Sequence, residues 1–432
     1  MSLPSKLLYN NKINASYARN FNSVIQAQNT QNYGLNQTAI FNIPCMRNQV
    51  LSGADTMMCI KLRFSTAATG NVGFLTKAGI AGAIQRLRIF SGSQLLCDID
   101  NYGTLISLLT PWQSSFEHVR GKLGSLQGCA DGKGAQVLLA AQAAGNAPDT
   151  DFCFPLLSIL SLTDNYVPLW AMASNGPLRV EVQFVSSLLQ VINASTAISN
   201  HSDGANTVFS DCKLIANFVE LSDSAMAIIE NSLEGKPVQW VCQSYANYVF
   251  STSLPNAVSQ VSIPIPAKYN SLKALYMVMR TSASASGALT NFSDDFLRFN
   301  LSQYTTRIGS RVIPAEPPNT VPQFISEMER ALGSASARIS PSSYTVATAS
   351  ANALGTVGAA NSSGVFAVGV ETESYSSAPM GSVYQGLNTS TDDIFWQGTF
   401  GANAGAPVVR FDAYASFDQL ITIDNGVVSV QY

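Results

Sequence analysis

Short runs of alternating apolar and polar residues fill most of the chain, and helical periods are few. Met58, Ile60, Leu62 and Phe64 alternate with Lys61 and Arg63, and Val180, Val182 and Phe184 alternate with Arg179, Glu181 and Gln183. Val261, Ile263 and Ile265 repeat the pattern, as do Phe411, Ala413, Ala415 and Phe417. A period of two puts one set of side chains on each face of a strand, so these runs predict the half-buried strands of β-sandwiches. Between them lie stretches of small residues, at 128–148, 193–207, 281–291 and 334–364. Such stretches cannot build a core and predict surface loops.

The segment from Gln303 to Gly333 departs from this pattern. It predicts a strand through Ile308, a turn at Gly309-Ser310 and a short edge strand at Val312-Ile313. Pro314, Pro317 and Pro318 then form a corner, because none can donate to a ladder. A helix follows. Thr320 and Gln323 have capping-box spacing, Pro322 sits in the first turn, and Gly333 can end the helix. Phe324, Ile325, Met328 and Leu332 share one face. Residues 85–109 repeat the order of strand, Gly92-Ser93 turn, strand and helix, the helix carrying Tyr102, Leu105, Ile106 and Leu109 on one face. Gly92 and Gly309 are 217 residues apart (309 − 92), about half of the 432, which predicts a two-copy architecture.

Two further pairs keep the same order: Pro177–Phe184 with Pro407–Tyr414, and Lys213-Leu-Ile215 with Gln419-Leu-Ile421. Between the copies, Ser222 to Leu233 predicts a helix with Ser222 as its cap, a stripe of Met226, Ile229 and Leu233, and Gly235-Lys-Pro237 as its end. The expected organisation is an extended arm at 1–36, a sandwich at 37–221, a helical connector at 222–237 and a second sandwich at 238–432.

Charged residues make up 12% of the chain, about half the usual share, while 46% are hydrophobic. The surface is therefore built from Ser, Thr, Asn and Gln, or covered by partners. A net charge of −3 gives no general attraction to nucleic acid or anionic membrane, so no sequence-specific nucleic-acid partner is expected. No acidic residue precedes Asp55, whereas Lys6, Lys12, Arg19 and Arg47 are basic. With their Asn- and Gln-rich surroundings, the first 36 residues predict an arm that orders against neighbours, Lys6, Lys12 and Arg19 being its assembly residues. Met1 to Asn20 lacks the apolar core of a signal peptide, and no apolar run is long enough to span a bilayer. Seven scattered cysteines, none after Cys242, predict reduced thiols and assembly inside a cell.

Catalytic chemistry finds few candidates. There are two histidines, His118 and His201, and no His/Cys pair has metal-ligand spacing. No Gly-x-Ser-x-Gly elbow occurs, and Gly128–Gly134 lacks both the spacing and the Ser/Thr of a phosphate loop. The acid pairs Asp98/Asp100, Asp149/Asp151, Asp294/Asp295, Glu371/Glu373 and Asp392/Asp393 read as solvated turn acids. Trp112, Trp170, Trp240 and Trp396 read as core or interface anchors, the other possibility being platforms for carbohydrate. No catalytic, cofactor-binding or metal-binding residue is assigned, and the chain is not expected to be an enzyme.

Several segments resemble the double jelly-roll major capsid proteins of the tectivirus–adenovirus lineage, above all those of polinton-like viruses and virophages. They are Arg307–Pro314 leading into Phe324–Met328, Tyr269–Tyr276, Val365–Glu371 and Ala413–Val430. Ile89–Ser93 with Asp100-Asn-Tyr102 is the first-half counterpart. The resemblance spans most of the chain from about residue 40, as pattern and order of segments. It implies an all-β fold of two tandem, upright eight-stranded jelly rolls with a few short helices. It also implies a homotrimer of pseudo-hexagonal outline that tiles an icosahedral DNA-virus capsid and so resides in the virion. Neighbouring trimers, a single jelly-roll penton protein, minor capsid proteins and an inner membrane are the partners it suggests. A viral adhesin or glycan-binding tandem sandwich is the alternative.

Overall fold

A computed structural model describes residues 18–64, 72–129, 138–140, 150–187, 190–194, 207–282, 294–333, 344, 364–373, 386–424 and 426–432. The first half carries β1 (Ala18–Gln26), β2 (Asn32–Tyr33), β3 (Thr38–Ile43), β4 (Gln49–Phe64), β5 (Val72–Leu75), β6 (Ile84–Ser91) and β7 (Gln94–Asp100). After helix α1 (Tyr102–Gln113) come β8 (Leu138–Ala140), β9 (Thr150–Pro155), β10 (Leu178–Phe184), β11 (Ile192–Ala194) and β12 (Thr207–Leu221). Helix α2 (Asp223–Leu233) leads to β13 (Val238–Ser253), β14 (Ser259–Ile265), β15 (Leu272–Thr281), β16 (Leu301–Ile308) and β17 (Arg311–Ile313). Helix α3 (Val321–Ala331) precedes β18 (Ala367–Glu371), β19 (Ile394–Phe400), β20 (Val408–Asp424) and β21 (Val427–Gln431).

The sheets show the duplication directly. In the first half the orders are β1-β12-β4-β9 and β3-β10-β6-β7; in the second they are β13-β20-β15-β18 and β14-β19-β16-β17. Reading first half against second, the strands match one to one, eight per sandwich, each sandwich being a jelly roll. A small extra sheet, β11-β5-β8, belongs to the first half only among the described residues.

The expected repeat falls on real counterparts. β6, β7 and α1 occupy the places of β16, β17 and α3, and the turns between the strands use Gly92 at φ 57° and Gly309 at φ 56°. At that φ a side chain is strained, and a Cβ at Gly309 would stand 2.9 Å from the Asp392 carboxylate. The Lys213 and Gln419 segments lie in matching strands, β12 and β20. The Pro177 and Pro407 segments do not correspond: they lie in β10 and β20, and the counterpart of β10 is β19. Alternation alone cannot tell one inward-facing strand from another.

The expected free arm also differs from what is found. β1 pairs with β12 along its whole length, from Ala18 opposite Leu221 to Gln26 opposite Lys213. Phe21 stacks on Phe218 at 5.6 Å, and Tyr33 is fully buried. Residues 18–36 thus supply the first strand of the first jelly roll. Lys6 and Lys12 lie outside the described residues, and Arg19 sits in β1 opposite Glu220.

Candidate functional site at the seam between the jelly rolls

Alternate residues of two second-half strands face two different cores. In β15, Leu275, Met277 and Met279 point into the second roll, while Ala274, Tyr276 and Val278 join a cluster dominated by the first. In β20, Phe411, Ala413, Ala415 and Phe417 face inward and Tyr414 faces the first roll. The outer face of this sheet is therefore buried against its neighbour, where a free sandwich would show polar residues. The first roll meets it with β7, α1 and the loop around Leu160. Burying apolar area from both rolls makes the seam a second core.

Hydrogen bonds fix the register of the two rolls. Tyr414 OH donates to Asn101 O at 2.9 Å, Gln419 Nε2 to Leu96 O at 2.6 Å, and Trp112 Nε1 to Val365 O at 3.1 Å. Trp240 Nε1 donates to Thr163 Oγ1 at 3.1 Å, and that hydroxyl donates to Val241 O at 2.9 Å. Asn101 Nδ2 reaches Asn247 Oδ1 at 2.8 Å. Each bond is directional, so the rolls are held at one angle.

A buried charge cluster closes one end of the seam. Lys77, from the first roll, donates through Nζ to the carbonyls of Asp294 (2.6 Å) and Gly364 (2.8 Å) and through its backbone N–H to Asp294 Oδ2 (2.6 Å). Its ammonium also lies 5.2 Å from the centre of the Phe296 ring. Burial pushes the Asp295 carboxyl up to about 7, and Asp294 adds to the shift; Lys77 and the Gly364 N–H oppose it. Close by, Asp412 is fully buried and accepts from Arg280 Nε and Arg410 Nε, both at 2.9 Å. A polar cavity of about 30 Å³, lined by Thr76, Asn101, Thr104, Arg280 and Asp294 among others, has room for one or two waters. Removing the cation from such a cluster would leave buried carboxylates uncompensated.

Asp294 and Asp295 thus depart from the expectation of solvated turn acids: each is only 3% exposed. Asp294 accepts from Lys77, 217 residues away, and Asp295 from the Gly364 N–H, so no local pattern announces either. Among the other described pairs, Asp98/Asp100 and Asp392/Asp393 are edge or surface groups, whereas Glu371 and Glu373 are half-buried. Arg86 grips Asp98, Lys61 faces Asp151, Lys273 pairs with Glu373 and Lys268 with Asp393. Asp149 and His201 lie outside the described residues, and His118 ends a single helical turn, its backbone N–H donating to Ser115 Oγ. Trp112, Trp240 and Trp396 are buried, two of them hydrogen-bonded across the seam, which fits the anchor reading; Trp170 is half-buried. No group of three metal-ligating side chains occurs among the described residues, and no described helix is long and apolar enough to cross a membrane.

No protein-family model matches the chain, and no curated protein matches it in sequence. Solved structures do match. The Sputnik virophage structure superposes at a TM-score of 0.61 with 12% identity, covering 100% of this chain and 92% of that one. The Faustovirus major capsid protein gives 0.59 with 9% identity, covering 96% and 92%. The mavirus major capsid protein gives 0.54 with 10% identity, covering 100% and 96%. The fold is therefore the double jelly roll seen in viral major capsid proteins, matched along nearly the whole chain. At these identities it is the fold that is shared.

Proposed function

We propose that this protein is a major capsid protein, a homotrimer of near-hexagonal outline that tiles the icosahedral shell of a DNA virus. The observation that carries the reading is the unequal use of matching faces. Inside the chain, the α1 side of the first roll covers the β13-β20-β15-β18 sheet of the second. Among the described residues, no element covers the matching faces, the outward side of α3 on the second roll and the outer face of β1-β12-β4-β9. In the seam, Asn247, Tyr414 and Tyr276 form one row across adjacent strands. On the open sheet the row Val24, Ile215 and Met57 runs across adjacent strands in the same way, with Val24 exposed. A second copy repeating the seam would cover both open faces. Head-to-tail contacts of this kind close into rings, and three two-lobed chains give six near-equivalent lobes.

The fold shared with Sputnik, Faustovirus and mavirus capsid proteins supports the reading, as does a charge-poor chain suited to large interfaces. In it the lobes are 18–221 and 238–432, joined by 222–237, and the role is structural rather than catalytic. Lys6 and Lys12 remain contacts offered to neighbouring trimers. The vertices and the underside of the shell fall to a penton protein, minor capsid proteins and, where present, an inner membrane. Assembly takes place in the host cell and the product is the virion. The adhesin reading loses support from the burial of three of its four tryptophans.

Light scattering on the eluting protein tests the proposal. A mass three times 46.0 kDa and a hexagonal outline by electron microscopy are expected. A stable monomer under all conditions, or glycan binding without any assembly, overturns it.

A further inference from the structure

Of the seven cysteines, two stand directly opposite each other on neighbouring antiparallel strands: Cys59 of β4 and Cys153 of β9. Their sulfurs are 3.0 Å apart, and both side chains are half-buried on the outer face of the sheet. The flanking residues of that face are Lys61, Asp151, Asp211 and Lys213, joined by ion pairs of 2.9–3.7 Å. Cys97, Cys129, Cys212 and Cys242 are buried, and Cys45 is half-buried elsewhere. Among the described residues β9 is the edge strand of its sheet, paired with β4 alone. Opposed residues on adjacent antiparallel strands have Cβ atoms about 4.5–5.5 Å apart, at the upper end of the disulfide range, so a small approach of the two strands closes the bond.

We propose that Cys59 and Cys153 are a site of oxidative modification, at which a small disulfide such as oxidised glutathione converts the two thiols into one cross-strand disulfide. The thiolate of Cys153 attacks a glutathione sulfur, the mixed disulfide forms, and one glutathione leaves as thiolate. Cys59, deprotonated, then attacks the Cys153 sulfur and expels the second glutathione. Two protein thiols lose two electrons and two protons, and one glutathione disulfide becomes two glutathiones. Burial, with the neighbouring Cys153 adding to it, pushes the Cys59 thiol up to about 12, so Cys59 rests protonated and gives up its proton only as it attacks the mixed disulfide. Oxidation ties edge strand β9 to β4 and adds no bulk to the face that the trimer reading gives to a neighbour. The staple does not depend on that reading.

Reduced full-length protein, equilibrated over a series of glutathione redox ratios, alkylated, digested and mapped by mass spectrometry, tests the site. One disulfide-linked peptide pair, Cys59 with Cys153, is expected at oxidising ratios, with the other five cysteines alkylated. The oxidised protein should melt about 5 °C above the reduced one, since the bond closes a long loop. Cys59→Ser and Cys153→Ser should each abolish the linked pair and the shift. Full alkylation of both residues at every ratio overturns the proposal, as does a different partner for either residue or a melt that does not rise. The wild-type map decides the outcome even where a variant folds poorly.

Discussion

Helices α1 and α3 hold the same place in their jelly rolls, each following the short strand after a Gly-Ser turn, yet they are built for different surroundings. In α1 nine of twelve residues are buried, including Ser107, Thr110 and Trp112; in α3 the buried ones are Phe324, Met328 and Ala331. Their N-termini differ in the same way. α3 is capped locally: Gln323 Oε1 accepts from the N–H groups of Asn319 (2.9 Å) and Thr320 (3.2 Å). α1 begins after Asn101, held at φ 48°, whose side chain bonds instead to Asn247 in the other roll. The N-terminus of α3 is capped by its own sequence, whereas the residue before α1 is held in part by the other roll. The contrast marks the side of the first roll that the chain itself covers and the helix face that the proposed trimer would cover.

The largest effect that could break this comparison concerns the strand beneath it. Removing residues 1–17 should leave the first roll folded, whereas removing 1–36 takes away β1 and Tyr33 and should unfold it. Circular dichroism and limited proteolysis distinguish the two. Equal stability of both truncations would mean that β1 adds nothing to the sandwich. Next come matched charges on the helices. Ser107→Glu places a carboxylate where the native residue is 2% exposed and should cost about 4 kcal/mol. Ser326→Glu, at an exposed position of α3, should stay within about 0.5 kcal/mol in the isolated chain. If assembled trimers cover α3, the second variant should fold normally yet fail to assemble, and chromatography would show a monomer.

Lys77→Met removes the seam's buried cation and should cost about 3 kcal/mol at pH 8 by denaturant melting. Asp295→Asn probes the same cluster with the opposite sign. Its carboxyl titrates near 7 in the fold against an ordinary 3.8, so from about pH 4 to 7 the fold keeps a proton that the unfolded chain has released. Stability from this group is therefore full at low pH and lost as pH rises through 7. The Asn variant retains an acceptor for the Gly364 N–H and cannot ionise. It should exceed the parent by on the order of 2 kcal/mol at pH 8 and match it near pH 4. A constant difference across that range would place the effect in packing.

Particular residues show how far the sequence could be read. The Gly92 and Gly309 turns, their flanking strands and the two apolar helix faces were legible because each rests on contacts within a few residues. β1 was not, since only one of its faces packs, and Asn20, Asn22 and Gln26 read as an unstructured polar stretch. The seam was hidden for a different reason. Tyr276 and Tyr414 look like routine strand residues, and Asp294 like a turn acid, until Lys77 and Asn101 arrive from the other half of the chain. Buried charge carries no local period, so only the assembled fold can show it.

The smallest effect sharpens the contrast in capping. Gln323→Ala strips the local cap from α3 and should cost about 1 kcal/mol, whether or not the seam is intact. Asn247→Ala touches no residue of either helix, yet it removes the side chain that holds Asn101. A loss of similar size is expected, because Asn101 Nδ2 would be left poorly satisfied in the seam. The double-mutant cycle is the discriminating measurement. If α3 is self-sufficient and α1 depends on the other roll, the two losses should add within about 0.5 kcal/mol. Coupling well beyond that would mean that the α3 cap and the seam respond to one another, and that the two helices are less different than their burial suggests.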